Sequence, residues 1–306
     1  MSTPTVGLVG LGAMGRGAAT NLIAKGHALI GYDVVPEMKG WLLERGGQFA
    51  DSLADLGRRC DLVISLVVND VQTESLLFGD GGLAGAMRPG SVFVACSTMS
   101  PAYVSKLGER LQEHGITLLD APVTGGAAGA AAGTLTIMSA GPKAAYERAR
   151  PVLGAFGARV YHVGEQPGAG ARLKVLNQLL CGVHLAAAGE ALALARRQGL
   201  PLDITLEVLR SGAANSWMLG DRGPRMVDEA FDDVTSAVDI FVKDMGLVLE
   251  AARDVKFSAP LSSAAFNAFL AVSGQGKGRW DDSAVMCHYA SAPYDAVQAI
   301  EPKEQK

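Results

Sequence analysis

The stretch Thr5-Val6-Gly7-Leu8-Val9-Gly10-Leu11-Gly12-Ala13-Met14-Gly15 decides the fold. A short apolar run enters G-x-G-x-x-G at Gly10, Gly12 and Gly15. A helical pattern follows, with Met14, Ala18 and Leu22 on one face and Lys25-Gly26 as its stop. A second apolar strand, predicted over 28–32, closes on Asp33. Strand, glycine turn, helix, strand and acid form the dinucleotide-binding βαβ fingerprint. Gly10 permits the tight turn, Gly12 lets backbone approach a pyrophosphate, and Gly15 lets the helix pack closely. Ala13 and Met14 open a helix whose first N–H groups lack partners and suit phosphates. Asp33, 23 residues after Gly10, is placed to bond the adenosine ribose diol. Its carboxylate repels a 2′-phosphate, and Val34 and Val35 supply no Arg, so NAD is expected over NADP. The competing reading is a turn without ligand, with Asp33 as a helix cap.

Working outward, apolar runs at 62–66, 91–95 and 117–119 show little polar alternation, as strands of a parallel sheet buried on both faces do. Further strands are predicted over 135–139 and 159–163, with a helix over 143–156 between them. Beyond residue 163 the pattern turns helical. Leu173, Leu176, Leu180, Val183, Ala187, Ala191 and Leu194 recur at helical spacing, predicting one helix over 170–197, roughly 40 Å long. More helices are predicted over 202–211, 238–253 and 261–273. The fold class is therefore α/β: an N-terminal Rossmann-type doubly wound parallel sheet, a long connecting helix and an all-α C-terminal domain. The expected domains are 1–163 and 164–298, with a polar, frayed tail at 299–306.

Composition narrows the function classes. Hydrophobic residues make up 49% of the 306, which excludes a disordered chain, and a formal net charge of −4 argues against a nucleic-acid partner. The four cysteines form no C-x-x-C pair and the five histidines are scattered, so no metal site is expected. A reduced, cytoplasmic setting follows. No basic segment precedes an apolar run near Met1, so no secretory signal is expected. The most apolar stretch, 179–195, carries His184 and Glu190 and reads as a buried helix with no membrane partner.

Four segments carry candidate chemistry. Ser97-Thr98-Met99-Ser100-Pro101 follows a predicted strand, where α/β sheets bind ligands. Ser100 before Pro101 is good capping chemistry, which leaves Thr98 to face a cofactor. Asp120-Ala121-Pro122-Val123-Thr124-Gly125-Gly126 reads as a loop whose N–H groups and hydroxyl can cradle a carboxylate; a flexible Gly/Ala loop is the alternative. Lys174, Asn177 and Gln178 share a helix face at i, i+3 and i+4, with His184 nearby, although on spacing alone a snorkelling Lys is the better reading. Lys243 lies four residues after Asp239, a spacing that also suits a surface ion pair.

On these motifs, in this order and spacing, the chain resembles the β-hydroxyacid dehydrogenases, which include 3-hydroxyisobutyrate, tartronate semialdehyde and L-threonate dehydrogenases and their 6-phosphogluconate relatives. The resemblance runs from about residue 5 to 283. It implies Lys174 as the catalytic residue, Thr98 and Lys243 at the nicotinamide, and Thr124, Gly125, Gly126, Asn177 and Gln178 on the substrate. Gln178 stands where many members carry a second Asn. Asn215-Ser216-Trp217, the 182–186 run and the 236–241 run resemble the L-threonate branch, implying a four-carbon sugar acid as substrate, which His184 and Asp239 would also suit.

The implied reaction is reversible hydride transfer, with Lys174 as general acid and base. A free Lys has a pKa of about 10.4, so burial or positive neighbours must lower it, and an alkaline optimum for oxidation is expected. The alternatives are an oxidoreductase acting on 3-hydroxyisobutyrate, tartronate semialdehyde or another short semialdehyde or hydroxy acid, with short semialdehydes taken in the reduction direction, and a non-catalytic NAD-binding protein. The site is expected between the two domains, and the apolar girth of the long helix predicts a homodimer or homotetramer. Trp217 is read evenly as pocket wall or core anchor. Residues 274–278 lack P-loop spacing and read as a helix end.

Overall fold

The structure, a computed structural model, describes residues 5–290. The expectations for residues 291–298 and for the tail 299–306 lie outside the described residues. Two compact units divide the described chain, one up to Asn177 and one from Gln178.

In the first unit, β1 (Val6–Val9), β2 (Leu29–Tyr32), β3 (Gln48–Phe49), β4 (Leu62–Ser65), β5 (Val92–Ala95) and β6 (Thr117–Asp120) pair in parallel in the order β3-β2-β1-β4-β5-β6. That is the doubly wound dinucleotide-binding order. Residues of β1, β4 and β5 are buried throughout, as their unalternating apolar sequence requires. The helices between them are α1 (Ala13–Ala24), α2 (Glu37–Leu43), α3 (Leu53–Arg59), α4 (Asp70–Phe78) and α5 (Pro101–Glu113). Beyond them come β7 (Val123–Thr124), α6 (Gly126–Ala132), β8 (Leu135–Ala140), α7 (Lys143–Phe156) and β9 (Gly157–Gly164). β8 runs antiparallel to β6 and β7, and β9 runs parallel to β8, so the sheet is mixed at this margin. Two cores cover its faces, one around Leu8, Leu22, Ile64 and Phe156, the other around Val63, Phe93, Val104 and Leu111.

In this unit, two departures from the sequence reading have physical causes. β3 and β7 are two residues long, too short for a hydrophobic period to register. The Gly/Ala run read as a loop folds as α6 because smallness lets it meet α1 backbone to backbone. A Cβ added to Gly17 would lie 2.5 Å from the Ala130 carbonyl carbon. Asn21 Nδ2 donates to the carbonyl oxygens of Ala130 at 2.9 Å and Ala131 at 3.1 Å, and Gly133, in the left-handed region, ends the helix.

α8 (Ala169–Arg197) spans 29 residues, about 43 Å at the α-helical rise. It is long and apolar enough to cross a membrane by length and composition, yet half of its most apolar window is buried in the protein. In the second unit follow α9 (Leu202–Ser211), α10 (Trp217–Val227), α11 (Val238–Asp254), α12 (Pro260–Val272) and α13 (Met286–Ala290). Among the described residues here the only β pairing is one bridge, Ala237 to Asp281. α10 escapes sequence reading because Gly220, Gly223 and Pro224 punctuate it; Gly223 is where Leu206 of α9 packs, 2.4 Å from an added Cβ. Gly182 of α8 serves the same purpose against Met245 of α11. Phe241 stacks on Phe269 at 4.9 Å, and the segment Ser273–Lys277, kinked at Gly276 with φ +81°, follows α12 where a helix end was expected.

Candidate active site

The turn between β1 and α1 is built as its glycines require. Gly10 has φ +89°, and a Cβ there would sit 2.9 Å from the Leu66 carbonyl oxygen at the end of β4. A Cβ on Gly15 would lie 1.8 Å from the Gly10 carbonyl oxygen, so α1 seats directly on the turn. Over Gly12 an added Cβ meets nothing within 4 Å. Gly12 caps α1 without a side-chain bond, and the first turn, with Ala13 and Met14, carries no acid. An open ledge above bare helix N–H groups fits a pyrophosphate.

Asp33, just after β2, braces this turn. Its Oδ2 accepts from the Leu11 N–H at 2.5 Å and its Oδ1 from the Val35 N–H at 2.8 Å. A carboxylate has about four acceptor sites, so both bonds leave capacity for a diol. Val34 beside it is 85% exposed and apolar.

After β5, Ser97 Oγ donates to the Val67 carbonyl at 2.7 Å, tying this segment to the one after β4. Ser100 caps α5, accepting from the Tyr103 N–H at 3.2 Å with Pro101 in the first turn, as the sequence implies. Thr98 lies half-buried between these two anchored serines.

The register of β5 and β6 sets Asp120 opposite Ala95 at the strands' carboxyl ends. Asp120 is buried, and its Oδ2 accepts from the N–H groups of Gly168 at 3.0 Å and Ala171 at 2.8 Å. It therefore pins the first turn of α8. Its Oδ1 is buried with no hydrogen-bond partner among the described residues. Burial raises its pKa to about 6, against the pull of the N–H groups it accepts from. Gly170 completes the fit, since a Cβ there would strike the Met138 carbonyl oxygen at 2.4 Å. Downstream, Thr124 ends β7 and Gly125 and Gly126 take φ of +125° and +64° as α6 begins, so the expected cradle is a strand-to-helix turn and not a free loop. Lys174 is 7% exposed, lying inside the protein where a snorkelling lysine would reach water. Asn177 is half-buried.

In the second unit, Gln178 is buried and donates through Nε2 to Asp244 Oδ2 at 2.5 Å. Lys243 Nζ donates to Asp244 Oδ1 at 2.6 Å. Asp244 thus joins two residues that the sequence reading singled out separately. Asp239 accepts from Ser273 Oγ at 2.6 Å and abuts Gly278, so it ties α11 to the kinked segment that follows α12. His184 is exposed and, with Asn215 and Ser216, lines a cavity of about 370 Å³. Trp217 is 60% exposed, which overturns its reading as a core anchor. No cluster of three metal-ligating side chains occurs among the described residues.

Known proteins resemble this arrangement along nearly its whole length. Residues 5–164 match the family described as the NAD binding domain of 6-phosphogluconate dehydrogenase. Residues 168–289 match the one described as the NAD-binding of NADP-dependent 3-hydroxyisobutyrate dehydrogenase. An L-threonate dehydrogenase of Cupriavidus necator is 47% identical over 281 residues, covering 92% of this chain and 94% of its own. A 3-hydroxyisobutyrate dehydrogenase of Pseudomonas aeruginosa is 36% identical, over 86% of this chain and 90% of its own. The crystal structure of a 3-hydroxyisobutyrate dehydrogenase from Salmonella typhimurium superposes with a TM-score of 0.88 at 43% identity, covering 92% of this chain and 99% of its own.

Proposed function

The chain belongs to the 3-hydroxyisobutyrate dehydrogenase-like family of β-hydroxyacid dehydrogenases, and from that premise we propose that it oxidises a four-carbon sugar acid, L-threonate, to its 2-oxo acid with NAD. As a member it is a nicotinamide dinucleotide-dependent oxidoreductase acting on hydroxy acids. The observation that carries the reading is Lys174, a buried amine one turn beyond the pinned start of α8.

When bound, the nicotinamide supplies the acceptor for the hydride lost from C2 of the substrate. The protein's part is proton transfer and positioning. Lys174 Nζ, as the neutral amine, accepts the hydroxyl proton as the C–H bond breaks; in reduction the ammonium returns it. Thr124, Gly125, Gly126 and Asn177 hold the substrate carboxylate and fix its distance from the acceptor. Gly10, Gly12, Ala13, Met14 and Gly15 take the pyrophosphate, Asp33 the ribose diol, and Thr98 and Lys243 the nicotinamide end. The protein works as a homodimer or homotetramer in the cytoplasm, and four cysteines without a C-x-x-C pair suit that reduced compartment.

The test is a screen read by NADH absorbance over L-threonate, D-threonate, D-erythronate, glycerate and 3-hydroxyisobutyrate. L-Threonate is expected to give the highest kcat/KM, and a clear preference for 3-hydroxyisobutyrate would replace the substrate assignment.

A further inference from the structure

We propose that Ser97 is a positioning residue for the cofactor: by fastening the turn after β5 to the turn after β4, it sets where Thr98 meets the nicotinamide end. The β4–β5 ladder closes where the Cys96 N–H donates to the Ser65 carbonyl at 3.0 Å. Beyond it the two chains part toward α4 and α5, and there Ser97 Oγ donates to the Val67 carbonyl at 2.7 Å. Ser97 is buried, so the bond is made away from bulk water, where losing a partner is costly.

This bond continues a line of close backbone contacts. A Cβ on Gly10 would lie 2.9 Å from the Leu66 carbonyl oxygen and 3.3 Å from the Val67 nitrogen. The glycine ledge thus rests against the peptide whose next carbonyl holds Ser97. Segments 10–15, 66–67 and 97–101 are stitched in that order across the carboxyl ends of β1, β4 and β5, which is the order of the strands in the sheet. The far end of the Thr98 segment is held separately: Met99 is buried, and Ser100 Oγ accepts from the Tyr103 N–H at 3.2 Å. Without the Ser97 hydroxyl the segment is anchored at one end, and a contact that is no longer preorganised loses affinity. That loss falls at the nicotinamide end and not at the ribose diol or the pyrophosphate, which Asp33 and the glycine turn would hold. The helices stay clasped regardless, since Glu74 of α4 accepts from Arg110 of α5 at 2.8 and 2.9 Å and from the Tyr103 hydroxyl at 3.0 Å. The inference rests on the reading of Thr98 given above.

The test is calorimetric titration of the wild type, Ser97→Ala, Thr98→Val and the double variant with NAD and with ADP-ribose, which keeps the adenosine and pyrophosphate but has no nicotinamide. In each single variant the Kd for NAD is expected to rise about fivefold, the worth of one hydrogen bond, while that for ADP-ribose stays within about twofold. The double variant is expected to bind NAD no more weakly than Thr98→Val, because Ser97 acts through Thr98. Ser97→Cys, whose thiol is a weak donor, is expected to shift the same way and carries the test if Ser97→Ala does not fold. A selective loss in Thr98→Val with none in the Ser97 variant overturns the inference and leaves Thr98 at the nicotinamide. An equal loss of ADP-ribose in the Ser97 variant overturns it too, since the hydroxyl would then support the whole turn. Further loss in the double variant overturns the action through Thr98. Unchanged NAD binding in Thr98→Val overturns the reading of Thr98 and the inference with it.

Discussion

At the scale of single residues, the proposed activity turns on one amine and one carboxylate. Lys174→Ala is expected to lower kcat at least about 100-fold, the usual contribution of general acid–base catalysis, while NADH binding followed by fluorescence survives. Near-normal turnover would remove Lys174 from the mechanism. Asp33 is expected to give a kcat/KM for NAD at least about tenfold above that for NADP, since the 2′-phosphate would meet its carboxylate; steady-state kinetics with both cofactors checks this. These two residues were legible for different reasons. Asp33 stands at a fixed offset from a glycine motif with a mechanical logic. Lys174 had only helical spacing, which snorkelling explains better, and it took the family resemblance to single it out. Asp120 and Asp244 were harder still, because their partners, the N–H groups of Gly168 and Ala171 and the Gln178 amide, are 48, 51 and 66 residues away.

At the scale of elements, the start of α8 depends on the protonation of a buried acid. Folding raises the Asp120 pKa from 3.8 to about 6, chiefly by burial. The folded state thus holds the proton more tightly than the unfolded chain. The stabilisation this brings is complete below about pH 4 and is lost as pH rises through about 6. Asp120→Asn keeps an acceptor for the Gly168 and Ala171 N–H groups without the charge. Thermal unfolding at several pH values is expected to show this variant's Tm gaining on the wild type's between pH 4 and 7. Asp120→Ala, which removes the cap, is expected to lose about 1 kcal/mol or more at every pH. Strands and helices with long apolar patterns, such as α7 and α9, were readable from sequence to the residue. α6 was not, because an Ala/Gly run has no hydrophobic face to reveal; its partner, Gly17, lies on another element. Gly17→Val would force backbone apart there, and a Tm drop of several degrees in circular dichroism is expected.

At the scale of the whole molecule, α8 leaves Leu176, Leu180 and Leu194 more than half exposed. They stand at heptad-like intervals along one stripe with Leu173 and Ala187. Such a row on a helix of this length suits a second copy of the chain. Light scattering is expected to give at least twice the 31.7 kDa chain mass, and Leu180→Lys with Leu194→Lys to shift the population toward that mass. A wild type already at 31.7 kDa would remove the stripe as an interface. Periodicity made the stripe legible but not its exposure, since the same spacing describes a helix sunk in a core.

The brace formed by Asp33 has a practical corollary. Its carboxylate secures the amide of Leu11, and with it the glycine ledge, through a bond internal to the protein. Redesign of this enzyme for a phosphorylated coenzyme cannot be a one-letter edit at residue 33. A small, neutral acceptor such as Asn would have to keep hold of that amide while a separate substitution at Val34 brings in the positive charge, so the two changes should be made together or the loop will slacken before any new preference is gained.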